Sequence, residues 1–347
     1  MKKVIKTIGG ILAIILALFL ILLIYLSINE YKPADIEDEN ISQKSEEKIA
    51  KNKDYKIMTW NIGYGGLDKD TDFFMDGGEM VFPINKDHVE ASLDHIVKST
   101  KEIDPDLIFF QEVDKNSKRS YNIDQVELFD KTFGLSSVFS LNYKVDFVPF
   151  PLPPLGRMES GIMSLSKFFI EKSQRHQQSI PHKYPVRLAN LKRAFQASYL
   201  PIKDSDKNLV LVNVHLDAYE SGNDGRLAQT KEIIDFVKKE YQKGNYVLVG
   251  GDFNQDLTGK GKKVPEGIWN PSPFPEDLLE DFTTLYYGQS PTSVVNDKPY
   301  TKDKAFLSTI DGFIVSDNIE VKNVETIKDQ DFQYSDHNPV LMEFVLK

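Results

Sequence analysis

Residues Ile8 to Ile28 carry no charge and are almost all Ile, Leu, Ala and Phe. A bilayer core needs about 20 such residues in a helix, and no other stretch limits the chain's options as severely. A cleavable signal has a shorter apolar stretch, roughly 7–15 residues, and a small-residue cleavage site. Here "YLSINEYKPA" follows, without an A-x-A motif. An uncleaved anchor is therefore expected in preference to a cleaved signal. Lys2, Lys3 and Lys6 precede the span, and Glu30, Asp35, Glu37, Asp38 and Glu39 follow it. The positive-inside rule then puts the N-terminus in the cytoplasm and the rest outside. The expected protein is a single-pass one in the cell membrane, with its C-terminal domain extracytoplasmic.

Three parts are expected: a membrane anchor over 1–28, a polar tether over 29–54 and one domain over 55–347. The tether is assigned because "NEYKPADIEDENISQKSEEKIAKNK" is polar with mixed charge. The chain of 347 residues has no cysteine, which removes disulfides, thiolate nucleophiles and thiolate metal sites. Its formal net charge is −10, so there is no general attraction for nucleic acid or anionic lipid. A phosphate substrate stays open, because a bound metal ion can reverse the local field.

Within the domain, "YKIMTWNIG" (55–63) alternates as a strand ended by Gly63, and "KDHVEASLDHIVKSTKEI" (86–103) puts Val89, Leu93, Ile96 and Val97 on one helical face. Asp104-Pro105 stops that helix. "DLIFFQEV" (106–113) reads as a buried strand, completing a strand–helix–strand step. Further strands are expected over 159–166, 194–202, 208–218, 246–254, 309–317 and 339–346. A helix is expected over 225–243, with Leu227, Thr230, Ile234, Val237 and Tyr241 inward. The fold class from this pattern is α/β.

Several of these strands end in a polar cluster. These are Trp60-Asn61, Gln111-Glu112, Asn213 with His215, Asp252 with Asn254, Asp311, and Asp336-His337. One such cluster is ordinary turn chemistry. Six at strand ends, where layered α/β folds build their sites, point to a common centre.

The ordered series "TWNIG", "FFQEV", "VNVHLD", "GGDFN", "TIDGFIV" and "YSDHNPV" resembles the endonuclease/exonuclease/phosphatase superfamily, from about residue 55 to 347. Its branches include DNases, apurinic endonucleases, inositol polyphosphate phosphatases and neutral sphingomyelinases. The resemblance implies a four-layered sandwich, two mostly antiparallel sheets packed face to face with helices outside. It implies a phosphoester hydrolase dependent on Mg²⁺ or Mn²⁺. The protein is expected to be a monomer.

Phosphodiester cleavage needs a hard cation, an activated water and donors for developing charge. Glu112 matches the family's metal glutamate, and Asn61 would assist directly or through water. Asp336 would complete the metal and water network. His337 can take a proton from the attacking water, and Asp311 matches the aspartate that orients it. Asp252 and Asn254 match the residues that orient the water and hold the phosphoryl group. His215 matches a phosphate-contacting histidine. The plainer alternatives are a solvated strand-end acid for Glu112 and a satisfied strand histidine for His215.

The other histidines carry no argument: His88 and His95 are expected to be solvated, and His176 and His182 to lie in a polar connector. Arg157 and Glu159 are as well explained by a turn salt bridge. Arg193 and Arg226 have the chemistry for an anion, although Arg226 on a helix face is expected at the surface.

No basic run with interleaved aromatics tracks a nucleic-acid backbone. Segments 64–85, 144–158 and 258–306, all peculiar to this chain, are expected around the substrate. In "VDFVPFPLPPLGRM" (145–158), Phe147, Val148, Phe150, Leu152 and Leu155 alternate with prolines that prevent a regular helix. An apolar loop dipping into a lipid interface is one reading, and a loop folded on the core is the other. The expected substrate is a lipid headgroup or other extracytoplasmic phosphoester. A nuclease acting on DNA and a non-catalytic binding protein remain as alternatives.

Overall fold

The computed structural model describes residues 2–219, 224–260, 264, 267–328 and 331–347. Two seven-stranded sheets organise them. The first runs β1 (Ile36–Asp38), β7 (Lys172–Gln177), β8 (Ala194–Pro201), β9 (Asn208–His215), β10 (Tyr246–Asp252), β14 (Asp311–Ser316), β11 (Thr283–Tyr286). The second runs β15 (Ile319–Thr326), β16 (Val340–Leu346), β3 (Asp54–Asn61), β4 (Leu107–Asp114), β6 (Gly156–Ser166), β5 (Ser136–Val148), β2 (Ile41–Ser42). A short ribbon pairs β12 (Ser293–Val294) with β13 (Leu307–Ser308). The helices are α1 (Lys2–Ile28), α2 (Lys86–Ile103), α3 (Gln125–Phe133) and α4 (Asp224–Gln242).

Each sheet has one parallel pair, β3 with β4 and β9 with β10, and every other pairing is antiparallel. Parallel neighbours need a crossover, and α2 and α4 supply it. The C-terminal ends of these four strands therefore carry Asn61, Glu112, His215 and Asp252 toward one edge. β14 and β16 run antiparallel to β10 and β3, so the same edge receives their starts, with Asp311 and the segment holding His337.

Alternation sorts the side chains into layers. Ile57, Phe109, Leu248, Phe313 and Met342 face the space between the sheets. Val247, Val249 and Ile314 face α4 with Ile233, Ile234 and Val237. Met58, Ile108 and Phe110 face α2 and α3. The result is the expected four-layered α/β sandwich. Each fully buried side chain of this size contributes about 1.5–3 kcal/mol relative to exposure.

Two expectations are corrected here. Residues 29–54 are not a free tether: β1 pairs with β7 at one edge, β2 pairs with β5 at the other, and Ile49 is fully buried between the sheets. The segment straps the sheet edges together, in pieces too short to show a period. On α4, Leu227 faces outward, 44% exposed, while Ile233 takes an inward place.

α1 is the one helix among the described residues long and apolar enough to cross a membrane. Its C-terminal end does not stand clear of the domain. Leu26 is buried with Val145, Val148, Met158 and Leu188. The expected loop over 145–158 is the tip of the β5–β6 hairpin. Its inner side chains pack on α1, while Phe150 and Leu152 are 70% and 84% exposed.

Candidate functional site

Local backbone chemistry aims each polar side chain. Asn61 closes β3, and its Oδ1 accepts the N–H of Gly63 at 3.0 Å. Asp252 closes β10 in the same way, with Oδ1 accepting the N–H of Asn254 at 2.8 Å. Such turns suit Asn and Asp, whose short side chains reach their own backbone two residues on. Glu112 sits where the β4–β6 register slips between Phe110 and Val113, with φ 56°. A bulge of this kind re-aims a side chain. Asn254 also has a left-handed backbone, φ 50°. Strained positions of this sort concentrate at functional sites.

Register then brings the pieces together. His215, Asp252 and Asp311 are direct neighbours across β9, β10 and β14. From the other sheet, Asn61 Nδ2 donates to Asp252 Oδ2 at 3.0 Å. His337 Nδ1 lies 2.8 Å from Asp311 Oδ2, and its Nε2 lies 3.8 Å from Asp252 Oδ2 and 3.4 Å from Ser293 Oγ. His215 Nε2 approaches the same Asp252 oxygen at 3.5 Å. The backbone of His337 is fixed too: Trp60 Nε1 donates to its carbonyl at 2.8 Å, and its N–H donates to Ser335 Oγ at 3.1 Å. Ser335 Oγ in turn donates to the Asn61 carbonyl at 2.8 Å.

The electrostatics follow from burying acids side by side. Burial, then the Asp311 carboxylate, push Asp252 up to about 7. Burial, with Glu112, Asp76 and Asp252 nearby, pushes Asp336 up to about 8 against the opposing pull of His337. Burial opposes charge on His337, but the Asp311 carboxylate, then Asp252 and Asp336, override it and raise the imidazole well above its ordinary value. His215 moves the other way, lowered by burial and by Arg193 and His337.

An acidic, oxygen-rich cluster calls for a cation. Asn61, Glu112 and Asp336 offer only oxygen ligands, the preference of Mg²⁺ and Mn²⁺. Burial first, and then its acidic neighbours, drive Asp336 toward protonation, so the donor set fits a divalent ion. Donor atoms of Asp252, Asp311 and His337 also lie within 4.8 Å of one another. There, however, His337 Nδ1 already pairs with Asp311, which suits an oriented base better than a metal ligand. Glu112 is not alone: Arg119 Nη1 lies 3.3 Å from its Oε2, while that guanidinium bonds Asp114 at 3.0 and 3.1 Å and covers the ring of Tyr64.

One cavity of about 680 Å³ opens over the cluster. Every predicted site residue except Asp311 lines it, and Asp311 lies fully buried behind His337. Segments 64–85, 144–158 and 258–306 all contribute walls, through Phe73, Phe74 and Asp76, through Val148, Phe150 and Leu155, and through Trp269, Ser293 and Val294. Asp76 escaped the sequence reading. It accepts from the Tyr219 hydroxyl and from the Asn296 N–H, and it ends a single 3-10 turn, Phe74–Asp76, too short to carry a periodic signal.

Other expectations sort plainly. Gln111 and Asn213 belong to the structure, not the cavity: Gln111 Nε2 donates to Asn213 Oδ1 at 2.8 Å, tying the sheets together beneath the site. Arg193 lines the cavity and pairs with Asp217 at 3.3 Å. Arg226 is buried, not at the surface, and donates to the carbonyls of Ala218 and Asn254. Arg157 makes an exposed pair with Asp146. His88 bonds Asp68 at 3.0 Å, His95 stacks on Tyr334, and His176 lies within β7, stacked on Phe195. His88 and His95 are partly exposed rather than fully solvated, and His176 lies in a strand rather than a connector.

The profile of the Endonuclease/Exonuclease/phosphatase family matches residues 58–337. Among solved structures, an endonuclease/exonuclease/phosphatase from Beutenbergia cavernae is 17% identical with TM-score 0.61, covering 85% of this chain and 72% of that one. A functionally unknown conserved protein from Enterococcus faecalis is 18% identical with TM-score 0.56, covering 84% and 100%. D. rerio TDP2 complexed with a single-strand DNA product is 14% identical with TM-score 0.54, covering 84% and 99%. At these identities the likeness is one of fold. No curated protein matches the sequence.

Proposed function

This chain belongs to the endonuclease/exonuclease/phosphatase family, and from that premise we propose that it is a membrane-anchored, Mg²⁺- or Mn²⁺-dependent phosphodiesterase acting on a lipid headgroup or similar extracytoplasmic phosphoester. The observation that carries the hydrolase reading is the His337–Asp311 pair, 2.8 Å apart, beside an acidic cluster in a cavity of about 680 Å³.

Glu112, Asn61 and Asp336 would hold the cation. When bound, it supplies Lewis acidity at a phosphoryl oxygen and lowers the pKa of a bound water. The chain's own residues do the rest. Asp311 fixes the tautomer and plane of His337 through Nδ1, leaving Nε2 facing the cavity to accept the water's proton. His337 gives up its own proton more readily once positive charge sits at Glu112 and Asp336. Asp252 orients the water from the other side, itself held by Asn61 and the Asn254 N–H. Asn254 and His215 are positioned to donate to phosphoryl oxygens. General-base action of this kind contributes typically ~10²–10⁴-fold.

The lipid reading draws on the walls. Phe73, Phe74, Phe150 and Leu155 line the cavity beside the acidic floor, and the arginines that line it, Arg119 and Arg193, are already paired with Glu112, Asp114 and Asp217. A nuclease is the second reading, favoured by the DNA product bound to the TDP2 relative. Full-length protein in detergent, assayed with Mg²⁺ and with chelator, separates them. The substrates are phospholipid vesicles, a chromogenic phosphodiester and a single-stranded oligonucleotide. We expect chelator-sensitive turnover of the lipid and the small diester. Cleavage of the oligonucleotide alone installs the nuclease reading, and no chelator-sensitive turnover on any substrate removes both. A C-terminal reporter active only on the cytoplasmic side would contradict the proposed topology.

A further inference from the structure

Phe19, Leu22, Leu23 and Leu26 of α1 line the same cavity as Glu112, Asp336 and His337. Their spacing puts them on one face of the helix. Leu26 is buried and Leu22 and Leu23 are half-buried, whereas Ile21 and Ile24 on the other side are 62% and 59% exposed. The helix that is long enough to span a membrane therefore turns one stripe toward the active site and the rest toward lipid.

Two features hold it there. The apolar stripe packs on Val145, Val148, Met158 and Leu188. Just past the helix, the Glu30 carboxylate is buried against Lys192 Nζ at 3.2 Å and Arg187 Nε at 3.3 Å. A buried pair of this kind is costly to break, because removing one partner strands the other charge. The helix exit is thus clamped to the domain. Around it, Phe150, Leu152, Tyr184 and Val186 expose apolar surface, a rim suited to the headgroup–acyl boundary.

We infer that α1 is a wall of the substrate cavity as well as an anchor. The site takes a phosphoester carrying a long hydrocarbon chain, which lies against Phe19, Leu22, Leu23 and Leu26 while the phosphoester reaches His337. The inference rests on the hydrolase reading above and adds where the chain goes. Two observations favour a hydrocarbon occupant. The α1 stripe and the acidic floor line one cavity, and the same cavity is walled by Phe73, Phe74, Val148, Phe150 and Leu155. A substrate of this type enters sideways from the membrane without its chain crossing water.

The test uses full-length protein in micelles with Mg²⁺ and two diesters of one leaving group, hexadecyl and methyl p-nitrophenyl phosphate. Leu22→Trp and Leu23→Trp fill the groove and keep the helix apolar. Ile21→Trp and Ile24→Trp make the same change on the lipid face. Phe19→Ala, at an exposed part of the wall, is a milder variant that leaves the packed stripe intact. The groove variants should lose kcat/KM for the hexadecyl ester by about tenfold or more and keep the methyl ester within about twofold, as loss of several methylene contacts predicts. The lipid-face variants should keep both. Wild-type hexadecyl turnover in the groove variants and Phe19→Ala, or equal loss from the lipid-face variants, overturns the wall. So does equal loss of both esters in the groove variants. A wild-type enzyme that cleaves the methyl ester but not the hexadecyl ester overturns the long-chain substrate alone. Cleavage of neither ester overturns the hydrolase reading itself.

Discussion

His337 Nδ1 and Asp311 Oδ2 are 2.8 Å apart, yet Asp311 opens a strand of one sheet and His337 precedes a strand of the other. The proposed base and its partner meet only because the two sheets dock. The proposed activity and sheet packing are therefore coupled at this contact.

His337→Ala should leave a folded domain with turnover reduced by about 10²–10⁴-fold, the range of general-base catalysis. Asp311→Asn should cost a comparable factor, and the double variant little more than either, because the two act as one unit. Steady-state kinetics with metal present and near-ultraviolet circular dichroism check this. Additive losses would show that the residues act separately.

Glu112→Gln removes a charged oxygen ligand while keeping shape. Calorimetric titration with Mn²⁺ should show affinity weaker by more than about tenfold, since even outer-shell changes cost about 10–100-fold. An unchanged titration would take Glu112 out of the metal site.

Gly251 has φ 148°, and a Cβ placed on it would lie 2.0 Å from the carbonyl oxygen of Val214 on the parallel neighbour β9. That oxygen is backbone and cannot step aside. Gly251→Ala should cost more than about 3 kcal/mol, above ordinary overpacking. A wild-type urea midpoint would refute the contact.

Gln111→Leu strands the Oδ1 of Asn213 in a fully buried layer between the sheets. An orphaned buried acceptor costs about 1–3 kcal/mol. Changing both residues to leucine should destabilise less than the sum of the single changes. Strict additivity in a double-mutant cycle by chemical denaturation would count against the bridge.

His176, packed between Phe195 and Phe236, is lowered from 6.5 to about 4, first by burial. Between these values the unfolded chain binds the proton and the folded one does not. This group therefore subtracts stability as pH falls from about 6.5 to about 4 and subtracts nothing above. His176→Phe should flatten the acid limb of a plot of Tm against pH without altering it above neutrality. Parallel curves for the two proteins would exclude His176 as a source.

Much of the site was legible in sequence because its parts sit at strand ends, where apolar alternation stops at a polar residue. Asn61, Glu112, His215, Asp252, Asp311 and His337 all carry that signature. The crossover steps around α2 and α4 were legible for the same reason, as a change of hydrophobic period from two to 3.6. The apolar span was legible from length alone.

What the sequence could not determine is whatever depends on residues distant in the chain. Asp76 comes from a single turn too short to show a period, and only packing carries it to the acidic cluster. Ile49, one apolar residue in a charged stretch, is core because the strap crosses the sandwich there. His176 and Arg226 carry polar side chains that sequence statistics assign to solvent, and only the surrounding rings and carbonyls make burial tolerable. The stripe on α1 is indistinguishable by composition from the rest of an apolar helix. Sequence sets which residues avoid water, but their partners are chosen by how the layers close, and that choice puts one face of the apolar N-terminal helix against the candidate site.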